Sequence, residues 1–195
     1  LLDETVLHCV TKSGILESFK FILDLYPESE RLRAMCVRDE DGDTVLHCAA
    51  GSGNPQLIKH ILSLYPVPEH LQIVRMQEQS GWTLLHRAAE SGNLECLQVL
   101  LSIYPETERL RAVNLQDNSG RNVLHCAAYS GSFESFEKIL VLYPASEHLS
   151  VLNWRDPFGR TLLHHAVPSK TIECFESILS LYPESERLSL LNIKD

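Results

Sequence analysis

The feature that most constrains the fold is a period. Tyr-Pro recurs at 26–27, 65–66, 104–105, 143–144 and 182–183, always 39 residues apart. Leu-His recurs at 7–8, 46–47, 85–86, 124–125 and 163–164 with the same spacing. All 195 residues therefore stack without a gap into five rows, 1–39, 40–78, 79–117, 118–156 and 157–195. An acid closes each row: Asp39, Glu78, Asp117, Asp156 and Asp195. Another (Glu30, Glu69, Glu108, Glu147, Glu186) stands two residues before a leucine column. Self-similarity at such a period marks an array of supersecondary units, each too small to bury its own apolar face without a neighbour. The expectation is one solenoid domain over 1–195.

Row three shows the local physics. Thr83 precedes Leu84-Leu85-His86-Arg87-Ala88-Ala89-Glu90-Ser91-Gly92. A threonine N-cap and a glycine past the end bound a helix of about two turns. Leu97, Leu100, Leu101 and Tyr104 then form one stripe of a second helix. Pro105 ends that helix and can open another. Glu106 and Glu108 suit the positive end of a new helix, and Leu110 and Val113 would share its buried face. The spacing predicts a third short helix over about 106–113, then an extended or turn-like stretch over 114–119. The fold class is all-α.

The pattern Asp39, Gly42, Thr44, Leu46, His47, Ala49, Ala50, Gly53 resembles the ankyrin repeat. Row four repeats it as Asp117, Gly120, Asn122, Leu124, His125, Ala127, Ala128, Gly131. The resemblance covers the whole chain and implies an ankyrin-repeat solenoid. Each repeat would hold two antiparallel helices and a finger loop, with the extra residues of the 39-residue period forming the third helix. The usual Thr-Pro-Leu-His carries Val or Leu in place of Pro (Val6, Val45, Leu84, Val123, Leu162). Row five has Pro168-Ser169-Lys170 where the helix-ending glycine belongs, so that row should be irregular. The regular insert also resembles ankyrin proteins that intracellular bacteria deliver into host cells.

Composition narrows the function classes. The net charge of −9 argues against a nucleic-acid or anionic-membrane binder, which needs a basic face. No apolar run approaches the roughly 18 residues of a membrane helix. Leu1-Leu2-Asp3-Glu4 contains neither an initiator Met nor a basic leader, which reads as a piece of a longer protein. The six cysteines have no framework spacing, and free thiols point to a reducing, cytoplasmic compartment, in a host cytosol if the bacterial resemblance holds.

Several residues imitate catalytic or metal sites. His8, His47, His86, His125 and His164 recur once per row, and the ankyrin motif implies a local hydrogen bond from each to the loop entering its helix. His-Cys pairs at 8–9, 47–48 and 125–126 suggest a metal. Packed helices lie about 8–10 Å apart, however, and zinc needs donors at about 2.0–2.3 Å, so ladder positions in successive rows do not converge. Asp39-Glu40-Asp41-Gly42-Asp43 opens like a calcium loop, but its glycine comes too early and Ala50 stands where a bidentate Glu belongs. Gly51-Ser52-Gly53-Asn54 lacks the Lys-Ser/Thr of a phosphate loop. No enzyme site, metal or cofactor is expected.

Recognition belongs in columns that vary. The column after the finger glycine reads Glu4, Asp43, Trp82, Arg121, Arg160, and its charges mark it as solvent-facing, so Trp82 is expected to be exposed. Trp154 shares an apolar column with Val37, Met76, Leu115 and Ile193 and is expected in the core. Tyr129 stands among Lys12, Gly51, Glu90 and Pro168, and Phe158 at a loop tip beside Pro157. Trp82, Arg121, Tyr129, Phe158 and Arg160 form a candidate partner-binding ridge over rows three to five, since aromatics and arginine dominate interface energetics. Asp41, Asp43 and Glu90 form an acidic side toward the N-terminus. The expected function is a monomeric, non-catalytic module that binds another protein through loop tips and the concave helix face. The alternative is the targeting arm of a larger enzyme.

Overall fold

Every row places two helices and a third short one in the predicted order. The structure, a computed structural model, describes residues 4–168 and 171–193. Row one holds Val6–Lys12 (α1), Leu16–Asp24 (α2) and Glu28–Met35 (α3). Row two holds Val45–Ser52 (α4), Pro55–Ser63 (α5) and His70–Val74 (α6). Row three holds Leu84–Ser91 (α7), Leu94–Ile103 (α8) and Glu106–Val113 (α9). Row four holds Val123–Ser130 (α10), Phe133–Leu140 (α11) and His148–Leu152 (α12). Row five holds Leu162–Ala166 (α13), Ile172–Ser180 (α14) and Glu184–Leu191 (α15). First helices stack in one ladder (α1, α4, α7, α10, α13) and second helices α5, α8, α11 and α14 in another. Alanine pairs 49–50, 88–89 and 127–128 are fully buried between first helices, where small side chains permit close approach.

The motif histidines close the helix N-termini. Thr5, Thr44, Thr83 and Thr161 set Oγ1 2.8–2.9 Å from Nδ1 of His8, His47, His86 and His164. Each pair is a reciprocal cap, with histidine in the place usually held by Glu or Gln. The far nitrogen donates to a backbone carbonyl: His8 to Val37, His47 to Met76, His86 to Arg121, His164 to Ile193. Row four departs from this. Its cap is Asn122, whose Oδ1 lies 2.7 Å from His125 Nδ1 and whose backbone N–H donates to the same nitrogen at 3.3 Å. His125 Nε2 and Asn122 Nδ2 are left buried without a partner. Gly92 closes α7 at φ 73°, a left-handed conformation costly for any side chain.

The Tyr-Pro anchor clamps successive rows. Tyr104 donates its hydroxyl to the Val74 carbonyl at 2.7 Å, Tyr182 to the Leu152 carbonyl and Tyr143 to Asn114 Oδ1. The Tyr65 hydroxyl lies 3.7 Å from Cys36 Sγ. Each reaches back to the end of the preceding row's third helix. The proline N-caps that third helix, or the 3-10 turn leading into it.

Three expectations need correction. The third helix opens with a 3-10 turn in rows two (Val67–Glu69) and four (Ala145–Glu147). Rows one, three and five carry Glu28, Glu106 and Glu184 at its first position, where the helix dipole favours an acid; Val67 and Ala145 offer none. Leu110 is only half-buried, while Val113 is fully buried. Trp154 is also half-buried: its ring meets Tyr143 edge-on at 5.8 Å at the margin of the core. In row five α13 has five residues rather than eight, although Ser169 and Lys170 lie outside the described residues.

Candidate protein interface

The finger loops hold the candidate residues, and each finger is built on its closing acid. Asp39 Oδ1 accepts from the backbone N–H groups of Asp41 and Asp43. Asp117 does so for Ser119 and Arg121, and Asp156 for Phe158 and Arg160. Adjacent fingers are joined by Gln79 N–H to Asp41 carbonyl at 3.0 Å and Asn118 N–H to Ser80 carbonyl at 2.8 Å. The column after the finger glycine therefore stands on a rigid support.

That column is not solvent-facing throughout. Trp82 is 8% exposed and Asp43 is 4% exposed, which corrects the expected exposure of both. Trp82 Nε1 donates to Asp117 Oδ2 at 2.8 Å. Two guanidinium groups stand over its ring, Arg87 at 4.8 Å and Arg121 at 5.2 Å from the centroid. Arg121 in turn binds Asp117 through Nη2 at 2.7 Å, and Arg87 binds Asp43 at 2.8 Å. Trp82 is thus the centre of a network tying row two to row four. Charges in this column lean inward onto the closing acids and the first helices, so charge there does not signal exposure.

The electrostatics follow from burial. Burial pushes the Asp43 carboxyl up to about 6, against the pull of Arg87, and its Oδ1 has no partner. Burial also raises Glu90, which lies half-buried 3.8 Å from Arg87. Burial would raise Asp117 and Asp156 too, but bonds from Arg121 and Arg160 hold both below the usual carboxylate range. The acidic side is largely neutralised, since Lys12 binds Asp39 at 3.1 Å and Arg87 binds Asp43. Of the named acids only Asp41 is freely exposed at a tip.

Rows four and five differ. Tyr129 is 47% exposed and Phe158 is 62% exposed. Arg160 stands 5.0 Å over the Phe158 ring and binds Asp156 at 2.8 Å, and Asp156 also meets His165 Nε2 at 3.2 Å. His165 packs edge-on against His125 at 5.0 Å. Together with Tyr129, Glu90, Arg121 and Trp82, both histidines line a cavity of about 20 Å³. The ridge therefore runs from Trp82 to Phe158, with Trp82 and its polar base buried and Tyr129 and Phe158 open.

Sequence reasoning missed Arg87, Asp117, Asp156 and His165 as members of this face. The first-helix column Cys9, Cys48, Arg87, Cys126, His165 varies as widely as the finger column, and that variation was the available signal. Asp39, Asp43 and Cys48 bring ligand atoms within 4.8 Å of one another. Their chemistry fits a metal poorly: Lys12 and Arg87 already hold the carboxylates, and burial pushes the Cys48 thiol up to about 12. All six cysteines are free thiols, four of them buried. No helix among the described residues is long and apolar enough to cross a membrane.

No curated protein matches the chain. The family profile for ankyrin repeats in three copies matches residues 67–148, and that for a single ankyrin repeat matches 41–70. With its capped helix pairs and stacked fingers, the chain belongs to the ankyrin repeat family, whose repeats are generally protein–protein interaction modules.

Proposed function

We propose that the chain is a protein-binding module without catalysis of its own, and that its partner seats on the open end of the ridge in rows four and five. The observation that carries this is the pair of exposed aromatics, Tyr129 and Phe158, on a base of buried ion pairs. Large rigid aromatics over fixed arginines provide apolar contact at little entropic cost. Glu90, Arg121 and Arg160, half-buried along the same ridge, supply its polar rim. Asp41 lies at a neighbouring tip and extends the surface toward row two. The insert's resemblance to proteins delivered by intracellular bacteria supports a partner in a host cytosol.

The test is affinity capture from a eukaryotic cell lysate with the parent and the Tyr129→Ala/Phe158→Ala variant, matched for helicity and melting. A partner held by the parent and lost by the variant supports this face. Equal capture by both moves binding to the third helices and contradicts it.

A further inference from the structure

Two side-chain columns that serve the fold in other rows are idle between rows three and four. The first is the far nitrogen of the motif histidine. His8, His47 and His164 donate it to the carbonyl 29 residues on, at Val37, Met76 and Ile193. The equivalent carbonyl for His125 is that of Trp154, and no such bond forms: His125 is 2% exposed and its Nε2 has no partner. The second column stands just before each closing acid. Arg38 donates to the Gly42 carbonyl at 2.6 Å and Gln77 to the Gly81 carbonyl at 2.9 Å, each tying down its own finger. Gln116 and Arg155, the next two members, are exposed and make no side-chain hydrogen bond or ion pair among the described residues.

These idle groups line one cavity. Asn114, Gln116, Gly120, His125, Trp154 and Arg155 surround about 240 Å³ at the base of the fingers of rows three and four. Asn114 Oδ1 already accepts from the Tyr143 hydroxyl, which leaves its N–H groups. The indole N–H of Trp154, half-buried and edge-on to Tyr143, makes no hydrogen bond among the described residues. The lining is therefore rich in donors. It includes one guanidinium and no carboxylate, on a chain of net charge −9. The nearest acids along the chain, Asp117 and Asp156, are already bound by Arg121 and Arg160. A buried donor without an acceptor is costly, and a bound acceptor removes that cost.

We propose that this cavity binds a carboxylate. Arg155 takes it by the paired N–H···O bonds that a guanidinium makes to a planar anion. His125 Nε2 and the free amide N–H groups complete its shell, and the Trp154 ring covers the body that carries it. One cation suits a monoanion, whereas a phosphate dianion would set two charges against a single guanidinium. The volume lies below the roughly 300 Å³ at which drug-sized ligand pockets begin, so the body is small: a free aromatic or aliphatic acid, or the last residue of a peptide chain. Neither Tyr129 nor Phe158 lines the cavity, so the site stands whether or not the ridge binds a protein.

Titration of the 195-residue chain followed by proton–nitrogen NMR tests this. The probes are sodium benzoate, neutral benzamide, inorganic phosphate, and N-acetylglycylphenylalanine with a free or an amidated C-terminus. Benzoate should shift the Trp154 indole signal saturably, and the Trp82 indole, bonded to Asp117, should not move. Benzamide and the amidated peptide should bind about tenfold more weakly than their acids. Arg155→Gln places at 155 the residue found at 77 and 116, so it should keep the fold and weaken benzoate about tenfold. Arg111→Gln, at an exposed site on α9, should leave benzoate binding unchanged. Tighter binding of the peptide acid than of benzoate identifies a chain terminus as the source, and the reverse order a free acid. No saturable shift with either carboxylate overturns the proposal. So does equal binding of benzamide, tighter binding of phosphate, or an Arg155→Gln variant that binds benzoate as the parent does.

Discussion

Trp82 and Phe158 are both finger-loop aromatics beside an arginine, yet they lie in opposite environments. Trp82 has two guanidinium groups over its ring and donates from Nε1 to Asp117, while Phe158 has one arginine and no polar atom to anchor. The indole is 8% exposed and the phenyl 62%. An aromatic at a repeat's loop tip is therefore scaffold when neighbouring rows supply partners for both its face and its edge. It remains free for recognition when they do not.

The largest effect should come from Asp117→Ala, which removes the finger's backbone acceptor, the Trp82 acceptor and the Arg121 partner together. A loss of about 3 kcal/mol is expected in urea unfolding. Asp156→Ala removes the equivalent finger acceptor and the Arg160 partner, with the 3.2 Å His165 contact in place of the 2.8 Å indole bond, and should cost about 1 kcal/mol less. Equal losses would break the contrast between the two rows.

Acid should destabilise next. Burial lowers His47 and His86 to about 4 and His125 to about 3. An unfolded histidine titrates near about 6.5, so the folded state binds fewer protons, and stability declines as pH falls from about 6.5 toward 4. Asp43, raised to about 6, acts in the opposite sense from about pH 6 down to about 4. Below about 4 the lowered carboxyls of Asp117 and Asp156 add to the loss. Melting temperatures should hold from pH 7.5 to about 6.5 and fall from there to 4, and Asp43→Asn should steepen the fall below about pH 6. A flat profile would mean that the histidine ladder is not buried neutral.

A smaller effect of opposite sign is expected at row four. Asn122→Thr gives row four the threonine cap of the other rows and removes the orphaned amide. A gain of about 1 kcal/mol in urea unfolding is expected. A loss would show that the asparagine serves the ridge beside it.

Much of the scaffold was legible because repetition exposes it. The third helix falls on 106–113, where Pro105 and the two glutamates put it, and Thr83 and Gly92 bound α7. The site was less legible. Column chemistry reports variation but not depth, and the charges at 43, 121 and 160 are turned onto Arg87, Asp117 and Asp156. The repeat also shows that tyrosine is constant at 65, 104, 143 and 182 without showing why. Its acceptors lie one row back, at positions whose side chains differ and whose carbonyls leave no trace in the sequence.

The central claim is that Trp82 holds the ridge together and Phe158 presents it. Urea denaturation of Trp82→Ala and Phe158→Ala, measured side by side, tests it most directly. Trp82→Ala should lose about 3 kcal/mol, as buried aromatic truncations do, and Phe158→Ala less than about 0.5 kcal/mol. Equal losses, or a larger loss at Phe158, would contradict the account.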